Sequence, residues 1–368
     1  MPSPDVAIVG AGVIGSAVAY TLSRSTRLRI VVIERGVPGC EASNAAAGVL
    51  AVASGQARRG VLLELRRISA AMFPELVATL EDETGLDLGY RREGLLSLAF
   101  SEADAASLAE LVRHRQRQGM RCHFLDRAAV LSSEPAVDPS IRAAAHFPDD
   151  CAIDSARFVA ALVAGAQRRG VEFRLHAAVR SVCAANGAAR LEVDGAVLEA
   201  GMAVVAAGAW SGELLNRPGL KIPVRPARGE MLALRPTSVQ VRHTLAEGET
   251  YLVPRSDGEL LVGSTLAFVG YDKRVTDAGV ERLLANAVRV LPGLRGTDPC
   301  RTWAGLRPCS TIRRPIIAPL PGLDNVILAN GHHRNGVLLA PITAQLVTEM
   351  IGGAAPSVPL RPFSYRRH

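Results

Sequence analysis

The first 34 residues hold the feature that most narrows the fold: a strand, a glycine-rich turn, a helix and a second strand ending in an acid. Val6-Ala7-Ile8-Val9 is a short apolar run of the kind buried in a parallel sheet. It passes directly into Gly10-Ala11-Gly12-Val13-Ile14-Gly15, and helical periodicity follows from Val13 to about Ser25. Leu28-Arg29-Ile30-Val31-Val32-Ile33 then reads as a second strand closing on Glu34. In this G-x-G-x-x-G context each glycine has its own task. Gly10 makes the tight turn, Gly12 lets a pyrophosphate approach the backbone, and Gly15 lets helix and strand pack closely. The helix start offers N–H groups and a partial positive charge to phosphates. Glu34 falls near the place where an acid hydrogen-bonds an adenosine ribose and repels a 2′-phosphate. A dinucleotide is the expected ligand.

Composition removes several other classes. A length of 368 residues suggests about two domains at ~100–200 residues each, or one large α/β unit. No apolar run approaches the ~18 residues of a membrane span. The N-terminal residues lack a basic run and read as strand and turn, not a signal peptide, so the cytoplasm is the expected location. Net charge is +7, carried by arginines apart from Lys221 and Lys273. These arginines are spread along the chain with 4% aromatic residues, which does not fit a nucleic-acid reader. An acidic small-molecule substrate is a better use for a few of them. The six cysteines lie far apart, without zinc-ligand spacing, and are expected to be buried and reduced. His332 and His333 are adjacent, so their side chains diverge, and no metal site is expected.

The glycine motif alone leaves NAD and FAD open. The segment Cys40-Glu41-Ala42-Ser43-Asn44-Ala45-Ala46-Ala47-Gly48-Val49 reads locally as a loop and helix start capped by Ser43 or Asn44. It also resembles the Ser-Ala-Ala-Gly segment of the D-amino-acid oxidase superfamily of flavoproteins. Further stretches match in order: Ala203–Ser211, Tyr251–Thr265, Trp303-Ala304-Gly305-Leu306-Arg307-Pro308, and Gly331 through Pro341. The resemblance spans Asp5 to about Met350 and is nearest to glycine oxidase, an FAD enzyme family.

The resemblance implies an α/β fold: a Rossmann-like FAD-binding domain (residues 1–85, 145–215 and 305–368) with a discontinuous, antiparallel-sheet substrate domain (86–144 and 216–304). Periodicity independently suggests helices over Glu64–Glu83, Glu102–Gln118, Ser155–Arg169, Asp277–Val290 and Asn335–Ile351. Strand-like stretches include Leu95–Phe100, Ile222–Arg225, Met231–Leu234, Tyr251–Val253, Leu260–Val262 and Val326–Ala329. The β-rich middle, roughly residues 220–265, breaks the βαβ alternation, as an inserted second domain would.

The implied cofactor is FAD, with a non-covalent cofactor expected and Cys309 as a candidate for covalent linkage. Its implied contacts are Gly10, Gly12, Val13, Ile14, Gly15, Glu34, Arg35, Ser43, Asn44, Ala46, Ala47, Gly48, Val49, Val179, Ala207, Gly208 and Trp210. At the last helix they are Arg307, His333, Arg334, Asn335, Gly336, Val337 and Leu338. The implied reaction is oxidative deamination of glycine or another small amino acid or amine. A hydride passes from the α-carbon to flavin N5, and O2 is the acceptor. A D-amino-acid or secondary-amine dehydrogenase with another acceptor is the alternative, and an NAD-dependent dehydrogenase a more distant one. A homo-oligomer is compatible with all of them. A guanidinium offers parallel donors to a carboxylate, and the resemblance gives that role to Arg307, expected at a strand end. Arg334 and Tyr251 are its expected neighbours in the substrate pocket. The sequence departs from the family after Pro308, where Cys309-Ser310-Thr311-Ile312-Arg313-Arg314-Pro315 replaces a flexible acidic loop, and at Val49, where methionine is common. Arg313 and Arg314 read as solvent-facing charges or as a seat for a second anionic group.

Overall fold

The computed structural model describes residues 3–55, 60–185, 187–215 and 220–365. A six-stranded sheet runs in the order Ile316–Leu320, Leu323–Asn330, Met202–Val205, Val6–Val9, Ile30–Ile33, Glu172–Arg174. It is parallel except for the antiparallel pair formed by its first two strands. Val6–Val9 and Ile30–Ile33 are buried at every position because both faces are covered. On one face, Val6, Ile8 and Val32 pack with helices Val13–Ser25, Val61–Thr84, Ser155–Gln167 and Gly336–Ile351. On the other, Ala7, Val9, Val31 and Ile33 pack with the three-stranded antiparallel sheet Val179–Ala185, Ala188–Val193, Ala196–Ala200.

The turn after Val6–Val9 follows from two glycines. Gly10 has φ +98°, a backbone setting that L side chains rarely adopt. A Cβ on Gly15 would stand 1.9 Å from the Gly10 carbonyl oxygen, so the first helix packs against its own turn only with glycine there.

An eight-stranded sheet forms the second layer, in the order Arg301–Ser310, Val224–Leu234, Leu260–Gly263, Thr250–Pro254, Thr244–Glu247, Leu95–Ala99, Ala143–Phe147, His123–Asp126. It is antiparallel apart from the Thr244–Glu247/Leu95–Ala99 pair. Leu232, Leu234, Leu252 and Val262 cover one face together with helix Asp277–Val290. The expected division at residue 305 falls inside the strand Arg301–Ser310, and that at 145 inside Ala143–Phe147. The division expected after 215 borders residues outside those described.

The expected helices are present, with ends moved by a few residues. Residues 222–225 and 231–234 are not two strands, because one strand runs from Val224 to Leu234. Ser43 and Asn44 do not start a helix and lie in a run of turns. All six cysteines are free; Cys122 is buried, but Cys40, Cys183 and Cys300 are exposed, against the expectation of burial. Among the described residues, no helix is long and apolar enough to cross a membrane.

Candidate active site

One elongated cavity of about 900 Å³ runs from the carboxyl ends of the parallel strands to the eight-stranded sheet. Ligands of open α/β sheets bind outside these strand ends. Gly10, Gly12, Val13 and Ile14 line it at the start of the first helix, whose first N–H groups have no intrahelical acceptor. Ser43 supplies what a local cap would: its Oγ accepts from the Val13 N–H at 2.9 Å, leaving the hydroxyl proton free to donate. Glu34 faces the same turn, with Oε2 accepting from Ala11 N–H (2.8 Å) and Oε1 from Gly36 N–H (2.9 Å). Beyond it the Arg35 guanidinium lies 3.7 Å from the centre of the Trp210 ring, and Trp210 stacks on Tyr271. Val179, Ala207 and Gly208 complete this end.

Ala46, Ala47, Gly48 and Val49 lead along the cavity wall. Arg255 holds this stretch by donating to the carbonyls of Ile153 (2.9 Å) and Ala47 (3.3 Å). Asn335, Gly336 and Val337 line the opposite side, where the last helix begins at Gly336 and turns its positive dipole end to the cavity.

Arg307, Tyr251, Arg334 and His333 meet at the far end. Arg307 is not at a strand end; it lies within Arg301–Ser310, paired with Ala227. Its guanidinium lies against Gly229, where an added Cβ would stand 2.0–2.2 Å from Nη1, Nη2 and Cζ. Nη1 donates to the Thr265 carbonyl at 3.1 Å. Among the described residues it forms no ion pair. Burial, then the nearby Arg334 charge, lowers its pKa to about 10, so it is still cationic at neutral pH. Arg334 is ion-paired with Glu249. Burial raises the Tyr251 phenol above its ordinary value, keeping it a donor.

His332 and His333 part company, as adjacency requires. His332 is buried in the core, its Nε2 3.0 Å from Thr343 Oγ1. His333 lines the cavity with φ +51°, an uncommon setting for a side-chain-bearing residue. Burial lowers His332 to about 3; burial followed by Arg307 and Arg334 lowers His333 to about 4. Unfolded histidines titrate near 6.5, so between that value and about 4 the unfolded chain binds protons that the fold refuses. Stability is therefore expected to fall as pH drops from 7 to 5, as read from the urea midpoint. His332→Met should flatten that slope even if the midpoint itself is lower. An unchanged slope would remove His332 as a source.

Three expected cofactor residues lie off the cavity lining: Gly15 packs on Gly10, Asn44 is exposed, and Leu338 is buried with its carbonyl accepting from Ser69 Oγ (2.6 Å). Cys309, Arg313 and Arg314 all reach the lining; Arg313 is exposed and Arg314 half-buried. Sequence reading missed Glu249, Gly229 and Arg66. Arg66, 4% exposed, donates to the Ala51 carbonyl, and its Nε has no hydrogen-bond partner among the described residues. Around it, Asp150 accepts from the N–H groups of Val52, Ala53 and Ser54 at 2.8–2.9 Å, while Arg115 donates to the Ala53 and Gly55 carbonyls. These contacts join residues up to 98 positions apart, so no local spacing announces them.

Comparison with known proteins gives the family and the fold. The family model described as DAO, FAD dependent oxidoreductase, matches residues 5–350. A glycine oxidase of Geobacillus kaustophilus (strain HTA426) is 32% identical over 366 residues, covering 99% of this chain and 97% of that protein. The crystal structure of glycine oxidase from Geobacillus kaustophilus superposes with a TM-score of 0.96 at 31% identity, covering all of both chains. Iminodiacetate oxidase from Chelativorans sp. BNC1 gives 0.90 at 26% identity, covering 98% of each.

Proposed function

This chain belongs to the DAO family of FAD dependent oxidoreductases, and we propose from its site how it works as an amino-acid oxidase. The enzyme is FAD-dependent and oxidises glycine or a similar amino acid. One observation carries the substrate assignment: the cationic guanidinium of Arg307, unpaired among described residues, faces the cavity end opposite the glycine turn.

The residues present fit FAD. A Cβ on Gly10 would stand 2.8 Å from the Ala206 carbonyl oxygen, so the turn stays free of side chains where a pyrophosphate needs the helix start. Glu34, already oriented by two backbone N–H groups, has lone pairs left for the ribose hydroxyls. Arg35 and Trp210 would hold the adenosine part, and the Gly336 helix start would serve the isoalloxazine. We assign the segments around the parallel sheet to the cofactor and the eight-stranded sheet to the substrate. Cofactor binding is non-covalent, and Cys309 remains a thiol.

FAD held by the glycine turn, Glu34 and the Gly336 helix start would supply a two-electron acceptor for the α-hydrogen, with O2 as the proposed final oxidant. Arg307 grips the substrate carboxylate through parallel N–H donors. The Tyr251 phenol donates to the same carboxylate. Arg334, neutralised in part by Glu249, shapes the field without competing for the grip. His333, uncharged above about pH 4, adds no further positive charge. In a substrate bound as the neutral amine, the nitrogen lone pair would form the C=N bond as the C–H bond of the α-carbon gives up its hydrogen as a hydride, so no side chain has to act as base. The imine product hydrolyses to ammonia and the oxo acid.

The purified FAD-loaded protein should lose its visible flavin absorbance on anaerobic addition of glycine, and should release one H2O2 per glycine in air. Sarcosine, D-alanine and iminodiacetate complete the panel. Absorbance unmoved by any of them would overturn the assignment; bleaching without peroxide would remove O2 as the acceptor.

A further inference from the structure

We propose that Glu230 is a positioning residue for substrate binding, acting on Arg307 through Thr265. Arg307 cannot hold its own orientation. Among the described residues it has one acceptor, the Thr265 carbonyl at 3.1 Å, and it rests on a glycine that offers no side chain to lock it. The position of Thr265 therefore decides where the guanidinium points.

Thr265 is in turn fixed by Glu230 at three points. The Thr265 hydroxyl donates to Glu230 Oε2 (2.8 Å) and accepts from the Glu230 N–H (2.9 Å), and the Thr265 N–H donates to the Glu230 carbonyl (3.3 Å). The other carboxylate oxygen, Oε1, accepts from both the N–H (2.7 Å) and the hydroxyl (2.8 Å) of Thr276. Thr276 is the N-cap of helix Asp277–Val290, and a Cβ on Gly279 would stand 2.3 Å from Oε2, so the carboxylate is pressed against the helix start. Burial opposes its charge, but the hydrogen bonds from Thr276 and Thr265 outweigh it and hold Glu230 below its ordinary pKa. Glu230 is 3% exposed. One buried carboxylate thus ties down both ends of the segment from Thr265 to Thr276, including Leu266 and Phe268 at the cavity. Gly229 and Glu230 are successive residues on one strand and project to opposite faces. The same stretch of chain therefore seats Arg307 on one side and fixes its acceptor from the other.

The inference rests on Arg307 as the carboxylate anchor, and the test separates the two. The probe is glycolate, glycine with its amine replaced by hydroxyl, titrated into the FAD-loaded enzyme and read from the flavin absorbance. Glu230→Gln and Thr265→Val should each raise the glycolate Kd and the glycine KM about tenfold, with kcat at saturating glycine changed by less than about threefold. Thr265→Ser, which keeps the hydroxyl, should stay near the parent. Adding Glu230→Gln to Arg307→Lys should then cost less than roughly twofold, because the two residues act on one contact. A rise with Arg307→Lys but none with Glu230→Gln or Thr265→Val overturns the role of Glu230 alone, as does full additivity. An unchanged Kd in Arg307→Lys removes the anchor itself. Should Glu230→Gln fail to fold, the Thr265→Val and Thr265→Ser pair decides.

Discussion

Replacing Arg307 by alanine is expected to lower kcat/KM for glycine by roughly two to three orders of magnitude while FAD stays bound. The substrate carboxylate gives up water to enter the cavity, and beside Tyr251, His333 and Arg334 the buried Arg307 forms no ion pair among the described residues. Leaving a buried charge without its partner costs about 3–5 kcal/mol, and about 1.4 kcal/mol is a factor of ten. Arg334 is close enough to lower the Arg307 pKa, yet it is tied to Glu249, so it compensates only weakly. The loss should appear mainly in KM and in the Kd of glycolate, with the flavin spectrum and thermal midpoint near the parent. Turnover within tenfold of the parent at low glycine would move the carboxylate seat elsewhere, with Arg66 the next buried guanidinium on the lining.

The cofactor half was legible because its signals are local. A glycine turn, a strand before it and an acid after the next strand fall within one βαβ unit, and the structure puts Gly10, Gly12 and Glu34 on one cavity wall. The proposed substrate end rests on family resemblance, because its contacts cross the sequence. Nothing near Arg334 in the chain marks Glu249 as its partner. Ser43 looked like a cap for a helix of its own and instead serves the Val13 N–H. The strand-like stretches Ile222–Arg225 and Met231–Leu234 run into one strand, Val224–Leu234, which contains Pro226. The register explains why it continues. Pro226 lies opposite Pro308, and the neighbouring Leu260–Gly263 strand reaches only Met231–Leu234, so no partner on that side needs the missing N–H.

Gly229→Ala separates placement of the guanidinium from its presence. Gly229 carries no positive φ, so alanine suits its backbone. The three atoms nearest the added methyl would be Nη1, Nη2 and Cζ of Arg307, the far end of a flexible side chain. Gly15→Ala is the opposite case, because its methyl would meet the Gly10 carbonyl and the backbone cannot step aside. Gly229→Ala should therefore fold, bind FAD and melt near the parent, yet push the guanidinium off its seat. A misplacement of about 1 Å costs on the order of 100-fold when a bound substrate must meet a reacting partner in fixed geometry. The expected result is a kcat/KM for glycine lowered by about two orders of magnitude with Arg307 still in the chain. A loss of less than about threefold would mean that the arginine reaches the carboxylate from more than one position; its contacts with Gly229 and Thr265 would then have no part in recognition.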